Sequence, residues 1–175
     1  MIIRDLFKYF SAFVPTAVLS DSFQVSEGAA YDAFKTELLA VDNTRRIAAI
    51  KSFIFGIDAE AVRQKISSVA GVYLFVDYST VTSTVDETVD RKDDKLHVAV
   101  TVAEPQPHDR DQVATALSQD ATLAILNTIR TAMRNDDETY RWLLFPNTVQ
   151  PFSEKALANS LGWTMEFDVQ GVDIV

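Results

Sequence analysis

Apolar and polar residues alternate along much of 72–104, and apolar residues recur at three- and four-residue spacing on either side of it. Period two marks strands and period 3.6 marks helices. The run 47–57 is apolar and β-branched and predicts a first strand. Asp58 is a helix N-cap type for a helix over 59–69, with Ala61, Val62, Ile66 and Val69 as its buried stripe and Gly71 as its C′ residue. The stretch 72–85 predicts a long strand, apolar on both faces early and alternating with polar residues later. Residues 95–104 predict its antiparallel return, with Leu96, Val98, Val100 and Val102 on one face, ended by Pro105 and Pro107. Leu123, Leu126, Ile129, Ala132 and Met133 place a helix within 109–135, where Ser118 or Asp120 offers a cap for a restart. Short helices are expected at 137–144 and 153–160. After Gly162 strict alternation predicts a last strand, with Trp163, Met165, Phe167 and Val169 opposite Thr164, Glu166 and Asp168.

The first 45 residues read as helical. Ile3, Leu6, Phe7, Phe10, Phe13 and Val14 lie at helical spacing before Pro15. Asp5 and Lys8 interrupt this run, so it reads as an amphipathic helix rather than a secretory leader. A loop is expected over 15–26, then a helix over 27–41 capped by Ser26 and broken by Asp42, Asn43 and Thr44.

Between residues 50 and 169 the order is therefore strand, helix, strand, strand, helix, strand. That is the ferredoxin-like βαββαβ order. The expected fold class is α+β: a four-stranded antiparallel sheet, strand order 4-1-3-2, with both helices on one face. A helical extension, 1–45, would precede a core domain, 46–175. The helices would cover Val72, Leu74, Val76, Val98, Val100, Trp163, Met165 and Phe167. The opposite face would show Tyr73, Phe75, Asp77, His97, Ala99, Thr101, Thr164, Glu166 and Asp168, covered by the N-terminal helices or by a neighbouring subunit.

Composition narrows the chemistry. The 175 residues suffice to bury about 70% of the unfolded surface without a staple. Cysteine is absent, which excludes disulfides, thiol catalysis and cysteine-ligated zinc. The formal net charge is -9, so the chain as a whole repels phosphate and is not expected to bind duplex nucleic acid tightly. No apolar run approaches the roughly 20 residues of a membrane span. None of the five glycines builds a phosphate-cradling loop, and no Gly-x-Ser-x-Gly elbow occurs. The third strand lacks the aromatics that an RNA-recognition sheet stacks on bases.

Three clusters could carry chemistry. Glu104, His108, Asp109 and Asp111 are divalent-ion or acid–base types, but acidic residues there also suit a helix start. His97, and the carboxylates Glu166, Asp168 and Asp77, fit a structural histidine and a solvated strand face. No catalytic, cofactor-binding or metal residue is assigned. The third cluster is the charged hairpin tip over 86–94, where Asp86, Glu87, Asp90, Asp93 and Asp94 stand against Arg91 and Lys92. With Tyr73 and Phe75 on the open face, it forms the expected interface.

One resemblance adds to this. Ala61-Val62-Arg63, Gly71-Val72-Tyr73-Leu74-Phe75-Val76-Asp77-Tyr78, Ala99-Val100-Thr101-Val102-Ala103, Ile129-Arg130 with Met133, Trp142-Leu143, Pro151-Phe152 and Ser160-Leu161-Gly162-Trp163 resemble a family of prophage-type proteins from gut bacteria. The resemblance spans about 50–169. The layout is also similar to bacteriophage tail-terminator and tail-completion proteins. It implies a non-enzymatic structural protein, a homo-oligomeric ring at the end of a tail tube, with tube or connector proteins as partners. The location implied is the virion, or the host cytoplasm during assembly. The second reading is a cytoplasmic ferredoxin-like ligand-binding or regulatory domain.

Overall fold

The computed structural model describes residues 2–23, 28–40, 43–86, 91–106, 111–137, 139–143 and 147–171. Five strands form one mixed sheet: β1 (Ile50–Phe55), β2 (Val72–Asp86), β3 (Arg91–Glu104), β4 (Thr148–Glu154) and β5 (Ser160–Gly171). Their order is β1-β2-β3-β5-β4. β1 is parallel to β2, and every other pairing is antiparallel. The fold class is α+β, as the pattern implied. The ferredoxin-like sheet is not formed. β1 lies beside β2 instead of between β3 and the last strand, and a fifth strand is added. The physical reason lies in what the parallel pair buries. Register sets Phe53 beside Leu74 and Phe55 beside Val76. The connection over 56–71 exceeds the dozen or so residues a parallel crossover needs.

The helices α4 (Ala59–Ser67) and α5 (Gln112–Arg134) lie on opposite faces, which corrects the one-face expectation. On the first face α5 buries Leu126, Ile129 and Met133 in a core with Leu74, Val76, Val98, Val100, Val102, Met165 and Phe167. On the second face Val62 and Ile66 of α4 pack with Ile54, Tyr73 and Ala103. The Asp58 side chain caps α4 as expected, accepting from the amides of Glu60 (3.0 Å) and Ala61 (3.2 Å). Gly71 is not the C′ residue, because α4 ends at Ser67 with Ser68 as C-cap. Gly71 instead takes φ +103 at the entry to β2.

The N-terminal helices are α1 (Ile2–Ser11), α2 (Thr16–Asp21) and α3 (Ala29–Leu39). They join the first face, where Leu6, Phe10, Phe13, Leu19 and Leu38 belong to the same core as α5. Phe7 meets Phe53 edge-on, with ring centroids 5.2 Å apart, and Phe55 at 4.8 Å. The second face is therefore not where these helices pack. α2 occupies part of the expected loop, with Pro15 as its N-cap residue. Proline fits there because a missing amide costs nothing at a helix start. Gly28 stands at the N-cap of α3, and Ser26 lies outside the described residues.

Two helical expectations fail near the C-terminal part. α5 runs unbroken through Ser118 and Asp120. Residues 153–160 form the end of β4, a turn and the start of β5 rather than a helix. Pro151 sits in β4, which is tolerable because β4 is the outermost strand and has an edge free of ladder demands. The expected helix over 137–144 is a short 3₁₀ turn, Tyr140–Leu143, from which Trp142 stacks on Phe167 at 6.2 Å and 9°. Trp163 is only partly buried. Its indole N–H donates to the Gln119 carbonyl of α5 at 3.0 Å, well N-terminal of Leu126 and Ile129.

A candidate interaction surface

The sheet has two widths. β1 pairs with β2 only as far as Val76, and β4 pairs with β5 only over Ser160–Glu166. The β2–β3 ladder continues to Asp86 opposite Arg91, and the β3–β5 ladder to Asp94 opposite Gly171. Beyond Val76 and Glu166 the sheet is thus a three-stranded ribbon, β2-β3-β5. Among the described residues no strand pairs with the outer edge of either β2 or β5 there.

The ribbon keeps one face apolar because β2 carries a bulge between Tyr78 and Val81. Val72, Leu74, Val76 and Tyr78 are even-numbered, whereas Val81 and Val85 are odd. One extra residue opposite His97 resets the phase and returns Val81 to the side of Leu96. Leu96 and Val169 are 2% and 1% exposed, so the first face stays closed well out along the ribbon.

The second face is polar beyond α4. Ser79, Thr80, Thr82, Lys95, His97 and Asp168 line an open groove of about 450 Å³. His97 Nδ1 lies 3.1 Å from Asp168 Oδ1, across the β3–β5 ladder. Thr101 and Thr164 share a hydrogen bond at 2.7 Å, and Gln150 donates to Glu166 at 2.8 Å. Asp77, two rows away from His97, has its carboxyl pushed above the usual range by burial, against the opposing pull of the Tyr78 amide and His97. His97 with Asp168 and Gln150 with Glu166 pair polar and charged groups on accessible parts of this face, whereas Thr101 and Thr164 are buried and satisfy one another.

The expected interface residues separate into groups. Tyr73 is fully buried beneath α4, so it does not stand on an open face; burial pushes its hydroxyl up to about 12, only partly offset by nearby Ser160. Its hydroxyl makes no hydrogen bond of acceptable geometry, although the Ser160 hydroxyl, which donates to the Leu157 carbonyl at 2.5 Å, could still accept. Phe75 is half-buried against the same cluster. The charged tip is narrower than 86–94. Asp86, Arg91, Lys92 and Asp93 are ladder residues, and Asp94 is a buried one, 4% exposed, that accepts from Ser83 at 2.5 Å. Glu87 and Asp90 lie outside the described residues. The pattern did contain a signal for this: Lys92 and Asp94 continue the even-numbered phase of Leu96 and Val98.

The second acidic cluster separates as well. Asp111 caps α5, accepting from the Ala114 amide at 2.8 Å. Glu104 accepts from Ser118, and Gln106 donates to both, each at 3.2 Å. His108 and Asp109 lie outside the described residues. Among the described residues no three histidine or carboxylate side chains converge, and no helix is long and apolar enough to cross a membrane. No family model matches the chain, and no curated protein matches it.

Proposed function

We propose that the protein is a structural component that assembles with copies of itself into a ring at the end of a phage tail or tail-like tube. The observation that carries this reading is the ribbon: three strands run on past the body of the domain with two edges that no strand of the described chain covers. Unpaired edges are templates for strand addition, and proteins that keep them monomeric usually blunt or cover them. Supporting this, the apolar layer persists along the ribbon instead of ending with the body. The polar groove on the second face is open rather than enclosed, which suits a wetted surface better than a ligand cavity. The contact with a neighbouring copy or the tube falls on the distal β2–β3 ladder, which ends at Asp86 and Arg91 and includes Lys92 and Asp93. The net charge of -9 favours protein partners over nucleic acid.

Light scattering across a concentration series, with negative-stain images of the same samples, tests the reading. The expected result is mass rising to one closed multiple of the chain, seen as rings. A mass that stays at one chain throughout contradicts it.

A further inference from the structure

We infer that the β2 edge of one copy pairs, strand beside strand, with the β5 edge of the next copy, past the bulge. This rests on the assembly reading above and states which surfaces meet. The two edges stand in the same rows of the ribbon. Val81, Leu96 and Val169 form one row, Thr82, Lys95 and Gln170 the next, and Ser83, Asp94 and Gly171 the third. Both edge strands are antiparallel to β3, so they run in the same direction. A rotation about an axis along the strands therefore brings β5 of one copy beside β2 of another as a parallel pair. Repeating that rotation uses two different patches per copy, which is how a ring closes.

Side-chain chemistry agrees with this pairing. In a matched row Val81 of one copy lies beside Val169 of the next, on the apolar face. Thr82 then lies beside Gln170 on the polar face. Both layers of the sheet continue across the junction. The described β2 edge over 79–83 carries no charge, and the β5 edge over 167–170 carries only Asp168, already held by His97. The alternative, two β2 edges related by a two-fold axis, joins a patch to its own copy and leaves the β5 edge unpaired, so by itself it stops at a dimer and closes no larger ring. The bulge confines pairing to Val81 and beyond, because its distortion breaks the regular spacing of edge groups.

The chain has no cysteine, so an engineered pair reports without background. Thr82 is exposed and Gln170 half-buried, so Thr82→Cys with Gln170→Cys should fold; denaturation checks this. After mild oxidation of the assembled full chain, the double variant is expected to give disulfide-linked trimers and larger species, while each single variant stays unlinked. Linked dimers from Thr82→Cys alone would overturn the proposal in favour of the two-fold arrangement. Assembly by light scattering with no cross-link in the double variant would overturn the edge pairing and leave the assembly reading standing. Absence of assembly would remove both. A second, oxidation-free measurement guards against a poor disulfide geometry. Thr82→Lys with Gln170→Lys should lower the assembled mass, and Thr82→Lys with Gln170→Glu should restore it. Equal masses for the two combinations would also overturn the pairing.

Discussion

Ser83 and Asp94 face each other across the β2–β3 ladder, joined side chain to side chain at 2.5 Å. The pair marks where the ribbon stops being core and becomes arm. Asp94 is buried while Ser83 is exposed, so water can take the place of the carboxylate at the Ser83 hydroxyl, and Asp94→Ala should cost about 1 kcal/mol or less in chemical denaturation. Removing 86–94 should cost more, since it strips the partners of Ser83, Thr84 and Val85 on β2 and of Gly171 on β5. Replacing only 87–90 with a tight turn should leave stability nearly unchanged. Equal stability for the two shortened chains would show that the distal ladder contributes nothing.

Gly162 is held against Ala103 in the β3–β5 ladder. A Cβ on Gly162 would sit 2.1 Å from the Val102 carbonyl oxygen and 2.5 Å from Ala103 Cα. Backbone cannot yield as a flexible side chain does. Gly162→Ala should therefore destabilise by about 3 kcal/mol or more. A loss under about 1 kcal/mol would mean that β5 shifts freely against β3.

Tyr73 carries a buried hydroxyl without a hydrogen bond of good geometry. Such a group costs about 1–3 kcal/mol to bury unpaired. Tyr73→Phe should leave stability within about 1 kcal/mol of the parent or raise it. A clear loss in the denaturation midpoint would show that the hydroxyl is bonded to Ser160 after all.

Asp77 gives a pH-dependent outcome. Its folded-state pKa lies above the ordinary 3.8, chiefly through burial. The native state thus binds that proton more tightly than the unfolded chain. The stabilising contribution is full below 3.8 and is lost as pH rises through the raised value. At neutral pH the charged carboxylate is a burden, so Asp77→Asn should be more stable than the parent there. The difference should vanish on acidification below 3.8. A neutral-pH loss on substitution would mean that attraction to His97 outweighs the cost of burial.

Much of this fold was legible in local pattern. The long hairpin strands, the Asp58 cap, the α5 stripe and the alternation after Gly162 all follow from residue spacing, which local physics dictates. The sheet order was not. Whether β1 settles beside β2 or inside the sheet depends on which apolar faces meet, and Phe53 and Phe55 find both α1 and Leu74 only in the first arrangement. β4 hid behind Pro151, a residue that argues against a strand everywhere except at an edge. For the interface, the charge run over 86–94 reads as a single charged tip because charge alone says nothing about register. The phase of Asp94 relative to Leu96 and Val98 set it on the apolar side, where Ser83 satisfies it. Tyr73 read as an open-face aromatic because α4 was assigned to the wrong side.

Amide hydrogen exchange, compared between dilute and assembled protein, tests the central claim most directly. The account expects slowed exchange on assembly at Val81–Ser83 of β2 and at Asp168–Gln170 of β5, with little change in β1 or β4. Assembly with both of those edges exchanging as fast as in the dilute chain would contradict it.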